Sequence, residues 1–369
     1  MKLQLTKTKT IEVRMPGFSG GASVLRDVTG IELGEVTERG CPAVRLARRG
    51  NGWEVLAADF IPPPPEALPN SWEELKSNAA TWTIPSAFQA PAAAIAVSSP
   101  VQIARQTTIE SIVGELAADP DGKKEIAPKV EPGLPVSHGG MRFVVQPLAE
   151  STFVLQAALP EYQTLWFTRL MPEGHRPTVQ SVQVMPLSQL SAVTVHPEFL
   201  SGGGNAFCVI VSKDGIRFSG WREGQLVMLR ECPHTCGWWA IRQAVKAELG
   251  VGEDMVDELL DSNLVDPTSV MEPFLTTLFH ELEFSIAYME HRLGVKLEKV
   301  FLLGLPSGGK YWSKIAERQL HTPLIVPNLF EGMRPAGQRR HAAVQFNASD
   351  SQAFLGALGA ARAAMEATS

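Results

Sequence analysis

The sequence has no apolar run approaching the about 20 residues that span a bilayer. Its opening residues, MKLQLTKTKTIEVRMPGFSGG, lack the apolar core of a secretory signal. They read as a polar, flexible extension over residues 1–20. The expectation is a cytoplasmic protein with no direct membrane insertion, held at any membrane only by another protein. Cysteine is scarce, four in 369 residues, which fits a reducing compartment. Cys41 and Cys208 stand alone, and Cys208 lies in an apolar strand where a thiol packs as core. Cys232, His234 and Cys236 are residue types that bind zinc. No second Cys/His pair follows at the spacing that completes four ligands, so no metal is expected. Positive charge is not in excess: 33 Lys and Arg against 39 Asp and Glu give a net charge of −6. That excludes a general nucleic-acid binder, which carries a basic face. The local clusters Arg45, Arg48, Arg49 and Arg334, Arg339, Arg340 read as solvated surface.

Several catalytic signatures are missing as well. There is no GxSxG. GlyGlyGlyAsn at 202–205 lacks the Lys-Ser/Thr of a phosphate-binding loop and reads as a hinge between domains. His280-Glu281 opens a metalloprotease-like pattern, but Phe284 stands where the second histidine belongs, so His280 is expected on a helix surface.

What is present is ordinary globular material, 44% hydrophobic and 20% charged, enough for two cores. Residues 24–60 read as a meander of strands with a hairpin turn at ArgGlyAsnGly. IPPPPEALP (61–69) suits neither helix interior nor central strand and reads as a stiff connector. Ser71 with Glu74 forms a capping box ahead of a helix from Trp72 to about Ala80. Strands are expected at 92–97 and 101–108. Residues 117–140, rich in Pro, Gly and charge, read as a mobile loop or reduced subdomain. Strands over MRFVVQPL and TFVLQAAL, a helix at 160–170 and a strand at 178–184 read as a small strand–strand–helix–strand insertion. In the second half a core strand at 206–211 precedes a hairpin, 215–221 and 225–231, around Arg222-Glu223-Gly224. A helix follows at 238–249. A longer one at 273–293 carries Leu275, Leu278, Phe279, Leu282, Ile286 and Met289 on one face. VFLLGLPSGG (300–309) is a strand running into a glycine turn, followed by a helix from about Tyr311 to Leu320, a short strand at 324–327 and a small-residue helix at 350–366. Glycine-bearing strand ends near 29–34, 209–215 and 300–309 recur in order. That order suggests two related α/β domains facing each other across a cleft.

On these residues the sequence resembles the PilM-like proteins of type IV pilus assembly, within the actin-like ATPase superfamily. ThrGlyIleGluLeuGly (29–34) with the following strands is similar to the family's opening. TFVLQAALPEYQTLWFTRLMPEGHRPTVQSVQVMPLSQL (152–190) is similar to its inserted subdomain. AFCVIVSKDGIRFSGWREGQLVMLRE (206–231) is similar to its second phosphate-loop hairpin. The corner at 304–309, ThrPro at 322–323 and AlaPheLeuGlyAlaLeuGlyAlaAla (353–361) are similar to its closing section. The resemblance covers roughly 24–365; the extension at 1–20 and the loop at 117–140 depart from it. It implies an α/β, actin-like (ribonuclease H-like) two-domain fold: domain I over 21–200 with an inserted subdomain at about 109–185, and domain II over 201–369 with a subdomain at about 222–297. It also implies a scaffold that docks the N-terminal cytoplasmic peptide of a PilN-type single-pass inner-membrane protein, in a groove beside the inserted subdomain. Other pilus assembly proteins are expected as partners, and nucleic acid is not. Two further readings stand beside it: the cytoplasmic domain of a type II secretion system, and an ATP-binding enzyme of the superfamily, a kinase or chaperone-like ATPase.

An actin-like ATPase holds phosphates and hydrated Mg²⁺ with two glycine hairpins and acidic side chains, and the adenosine with a third glycine turn. The resemblance maps this cleft onto Glu32, Gly34 and Thr37, onto Ser212, Asp214 and Gly215, and onto Gly304, Ser307, Gly308 and Gly309. The match is degenerate. Glu35 and Val36 stand where Ser or Thr belongs. A carboxylate about 4 Å from a phosphate costs about 4 kcal/mol at an effective dielectric near 20. A micromolar affinity is worth only about 8 kcal/mol. Ile210 occupies the second acidic position and cannot hold a hydrated cation. Leu305 and Pro306 interrupt the third corner, and Pro306 lacks an N–H; Lys310 is an anion contact there. The expectation is a vestigial cleft with no catalytic residues and no cofactor, ATP with Mg²⁺ being the alternative.

Overall fold

The computed structural model describes residues 12–13, 25–34, 39–50, 52–77, 80–117, 130, 136–149, 151–172, 176–194, 196–201, 203–212, 215–232, 237–262, 264–294, 296–305, 307–335 and 348–366. Most of the expected extension at 1–20 and loop at 117–140 lies outside the described residues. So do Glu35, Val36, Thr37, Gly202, Asp214, His234, Cys236, Pro306, Arg339 and Arg340.

A short strand β1 (Glu12–Val13) precedes the meander β2 (Asp27–Leu33), β3 (Cys41–Arg49) and β4 (Gly52–Ile61). β2, β3 and β4 pair antiparallel in sequence. Arg45, expected as solvated surface, instead clasps Asp27 through two hydrogen bonds of 3.0 and 2.7 Å across the β2–β3 pair. After the proline connector comes α1 (Trp72–Ser77). The Glu74 N–H donates to Ser71 Oγ (3.2 Å), and the Glu74 carboxylate accepts from the Asn70 N–H (2.8 Å), one residue earlier than in a strict capping box. β5 (Ala92–Val97) is buried along its whole length, as a central parallel strand covered on both faces must be.

β6 (Ile103–Thr107), α2 (Ile109–Ala117), β7 (Val136–His138), β8 (Met141–Pro147) and β9 (Val154–Pro160) form the inserted subdomain. Its four-stranded antiparallel sheet has the order β6-β9-β8-β7, with a small core of Ile112, Phe143, Val145, Val154 and Ala158. α3 (Glu161–Leu170) returns the chain, burying Trp166, Phe167 and Leu170 and leaving Leu165 exposed. The following strand, β10 (Thr178–Val184), does not join the insertion with which the sequence grouped it. It lies parallel between β1 and β5. Its polar Gln183 is compatible with that burial because both ends of the amide are bonded: Nε2 donates to Ala360 O (3.2 Å) and Oε1 accepts from Ser188 Oγ (3.0 Å). α4 (Met185–Val193) and α5 (Pro197–Ser201) lead to the domain II strands through a turn in which Gly203 and Gly204 have φ of +65° and +76°.

Domain II opens with β11 (Ala206–Val211) and the hairpin β12 (Ile216–Arg222) and β13 (Gln225–Glu231), followed by α6 (Trp238–Leu249), α7 (Val256–Asp261) and α8 (Thr268–Leu293). All six residues of the α8 stripe are buried. His280 lies on the exposed side with Phe284, as expected for a surface histidine. β14 (Val300–Leu303), α9 (Gly309–Gln319), β15 (Leu324–Ile325), β16 (Arg334–Pro335), α10 (Ala348–Gln352) and α11 (Leu355–Glu366) complete the described chain. Among the described residues the domain I sheet runs β1-β10-β5-β2-β3-β4-β16 and the domain II sheet β13-β12-β11-β14-β15. The chain's last helix crosses back: α11 packs on β2, β3 and β5 and against α4. Glycine permits this approach. A Cβ at Gly30 would lie 1.8 Å from Ala357 O, and one at Gly359 would lie 1.6 Å from Ser188 O. The sequence assigned 350–366 to the second half by order alone, whereas α11 is a core element of the first sheet.

Candidate functional site

The first and third glycine corners meet one segment, residues 352–357. At the first, β2 delivers Glu32 beneath the start of α11. Its carboxylate accepts from the Gly356 N–H (2.9 Å) and from the Ala357 N–H. These are donors a helix N-terminus leaves unpaired, and such a terminus favours an anion. Burial nevertheless dominates and pushes the Glu32 carboxyl up to about 7, the two N–H groups offsetting only part of the rise. The same burial, with Glu32 nearby, raises the Cys41 thiol to about 11. A Cβ at Gly356 would lie 2.5 Å from Glu32 Oε2, so the cap requires glycine there. Gly34 follows at the strand end.

At the second corner the Ile210 side chain is buried in the core and presents no oxygen to a cation. Ser212 closes the loop on itself: its N–H and its Oγ both donate to Gly215 O (2.9 and 2.6 Å). Its carbonyl accepts from the Trp238 N–H at the start of α6 (2.9 Å).

The third corner retains its turn, with Gly304 and Gly308 at φ of +76° and +72°. Three of its donors are engaged within the chain. The Gly304 N–H donates to Gln352 Oε1 (2.9 Å), the Gly308 N–H to Asp261 Oδ1 (3.0 Å), and Ser307 Oγ to Asp257 Oδ1 (2.8 Å). Leu305 is buried. Gly309 opens α9 against Val326. Lys310, the expected anion contact, donates instead to the carbonyls of Asp261 (3.1 Å) and Ser262. The end of α7 is thus strapped across the corner, helped by the Tyr311 hydroxyl on Val265 O (2.5 Å) and Lys314 on Asp266 (2.6 Å). Burial raises the Asp261 carboxyl above the usual range, against the pull of the Gly308 N–H. Asp257, Asp261 and Gln352 escape sequence reasoning. They lie 47 to 50 residues from the groups they bond, and AspGluLeuLeuAsp reads locally as a solvated helix face.

Two carboxylates and one carboxamide therefore accept from backbone N–H groups of Gly356, Gly308 and Gly304. Glu32 is committed to a helix N-terminus and Ile210 to the core. Among the described residues no group of three His, Cys, Asp or Glu suits a metal ion.

A different concavity of about 630 Å³ opens on the other side of α4, between the inserted subdomain, α4–α5, the β12–β13 turn and the end of α11. Its walls mix polar and apolar surface, the apolar side chains including Leu148, Leu155, Leu187, Leu190, Phe199 and Trp221. Arg362 lines it as well, buried, with one η nitrogen on Ser191 O and the other on Glu366 Oε1 (2.6 Å). Leu200, 60% exposed, stands at the rim. Two hydrogen bonds tie the insertion to domain II beside it: the Ala149 N–H to Leu226 O (3.4 Å), and the Leu229 N–H to Gln106 Oε1 (3.0 Å).

Two α/β sheets linked through residues 352–357, with a small antiparallel insertion beside the first, form an actin-like, ribonuclease H-like architecture. Among solved structures the chain is similar to the PilM-PilN type IV pilus biogenesis complex. The TM-score is 0.57 at 17% identity, covering 90% of this chain and 97% of that one. It is also similar to a Bacteroides thetaiotaomicron protein with an actin-like ATPase fold and unknown function (TM-score 0.38, 10% identity, 82% and 91% covered). A third is Ta0583, an archaeal actin homolog (TM-score 0.38, 11% identity, 92% and 98% covered). The fold assignment rests on the first of these. No family model matches the sequence, and no curated protein does.

Proposed function

We propose that this chain is a cytoplasmic, actin-like scaffold of type IV pilus assembly that holds the N-terminal cytoplasmic peptide of a PilN-type inner-membrane protein and works without hydrolysing ATP. The observation that carries the proposal is that groups at the three corners are bonded within the chain: the Glu32 carboxylate by the Gly356 N–H, Ser212 to Gly215, the Gly308 N–H to Asp261 and the Gly304 N–H to Gln352. Phosphoryl transfer depends on positioned charge and metal, and these residues are spent on the fold. The partner is suggested by the similar complex, whose second component is PilN. The groove beside the insertion, with apolar side chains in its lining, offers such a peptide a seat. No described helix is long and apolar enough to cross a membrane, so on this reading attachment to the inner membrane runs through the bound partner.

Two titrations test the proposal. A nucleotide at 100 times its Kd adds about 2.7 kcal/mol of stability, so a thermal shift with millimolar Mg·ATP would overturn the reading of the corners as occupied from within, and release of phosphate from ATP would overturn the non-hydrolysing half. Titration with the cytoplasmic N-terminal peptides of PilN-type proteins encoded nearby is expected to saturate. If neither the peptides nor the full-length partners are retained, the scaffold reading fails.

A further inference from the structure

The turn between β12 and β13 overhangs the mouth of the groove, and it contains Glu223. Among the described residues Glu223 is the one non-glycine with positive φ, +50°. That conformation costs an ordinary side chain about 1 kcal/mol and is one that glycine adopts freely. The turn is held there from both sides: the Glu223 N–H donates to Asn205 Oδ1 (2.9 Å), and the Gly224 N–H to Gly204 O (3.0 Å). Glutamate is therefore kept at a position where glycine would be less strained. Its carboxylate is exposed and has no ion-pair partner among the described residues. The other charges lining the groove, Arg362 and Glu366, are joined to each other. The groove thus has apolar side chains among polar ones in its lining, an Arg–Glu pair joined to itself, and the Glu223 carboxylate with no ion-pair partner among the described residues.

We infer that Glu223 is a specificity residue of this groove, and that it reads a cationic side chain of a docked segment whose apolar residues lie on the apolar side chains of the lining. The inference rests on the reading above for the identity of that segment. Charge complementarity suits the occupant, because cytoplasmic segments next to a membrane span carry an excess of Lys and Arg. Backbone strain kept at a non-glycine residue beside a binding groove is what a functional constraint on its side chain leaves behind.

The test uses the full chain and a synthetic N-terminal cytoplasmic peptide of the PilN-type protein, with a second peptide in which every Lys and Arg is Gln. Fluorescence anisotropy is read at low and high salt. Glu223→Gln and Glu223→Gly are expected to weaken the native peptide about two- to five-fold at low salt, the range of an exposed ion pair, and to flatten its salt dependence. The neutral peptide should not respond to either substitution. Glu223→Gly should melt higher than the parent, which separates the strain from the charge. Equal affinities for parent and variants overturn the inference while the scaffold reading stands. So does binding that survives Leu200→Asp at the rim, since the peptide then lies elsewhere. Failure of the native peptide to bind the parent chain overturns both.

Discussion

Glu32 offers the sharpest test of whether the first corner is a relic of a ligand site or a structural cap. The perturbation is Glu32→Gln, which keeps the shape and one acceptor oxygen for the Gly356 N–H but cannot ionise. Burial lifts the Glu32 carboxyl from 4.5 to about 7 in the fold. At about 1.36 kcal/mol per unit, the ionised form is disfavoured there by about 3 kcal/mol relative to the unfolded chain. The sign follows from proton binding. Between pH 4.5 and 7 the folded state holds the proton and the unfolded state has lost it, so stability falls as pH rises through that window. Below pH 4.5 both states are protonated and the penalty vanishes. Above pH 7 it is complete. Glu32→Gln should therefore match the parent near pH 4 and exceed it by up to about 3 kcal/mol at pH 8.

The chain has two domains, so a single global unfolding free energy is not well defined. The suitable readout is native-state hydrogen exchange of peptides spanning 355–366, followed from pH 5 to 8, with a carbon-13 titration of the Glu32 carboxyl. Parent protection of α11 should fall relative to the variant as pH rises, and the carboxyl should titrate near neutrality. A variant less protected than the parent at pH 8 would refute the reasoning. It would mean that the N-terminus of α11 stabilises the carboxylate by more than burial costs.

Other expectations follow from the same contacts. Gly359→Ala, whose Cβ would lie 1.6 Å from Ser188 O, should destabilise the packing of α11 on α4 by about 3 kcal/mol or abolish folding, since the two helices cannot both keep their place; native-state hydrogen exchange of 355–366 measures it. Asp261→Ala removes the acceptor for the Gly308 N–H and should cost about 1 kcal/mol, as for lost helix caps; on the proposed reading Mg·ATP still gives no thermal shift, because the bonds at the other corners remain. His196 is buried and its imidazole is held below its ordinary value, chiefly by that burial, with Glu331 and Glu198 opposing. The unfolded chain therefore takes the proton first, and stability should fall as pH drops below about 6.5. His196→Asn should flatten that slope in melting curves between pH 5 and 7.

The fold was legible where the signal was local. The α8 stripe, the 225–231 hairpin and the Ser71 cap are set by spacings within a turn or two of helix or within one hairpin, and each is found close to its expected bounds. The corner at 300–309 was legible as strand, glycine turn and helix. The misplacements involve residues whose environment is set by distant chain. β10 alternates like an insertion strand, and only its parallel neighbours on both sides give it a place in the main sheet. α11 carries small residues because Gly30 and Ser188, far away in sequence, lie against it. In the candidate site, the loss of an acid at Ile210 could be read directly. The bonds at the third corner could not, since Asp261 and Gln352 meet their donors across 47 and 48 residues.

The acids at the first and third corners share a physical logic. A glycine turn leading into a helix exposes N–H groups that favour an anion. A nucleotide-dependent member of such a fold leaves them open, so that a phosphate completes the electrostatics only when it binds, and closure of the two domains becomes conditional on ligand. Here Glu32 and Asp261 complete them from within, and Gln352 and Gly356 tie the third and first corners to one short segment. Of these bonds, the one from the Gly304 N–H to Gln352 links domain II to the segment that enters α11 on the domain I sheet. On the proposed reading this is the useful property. A scaffold that holds a membrane partner in a groove bordered by both domains needs their relative position fixed at all times, and an internal side chain does not dissociate.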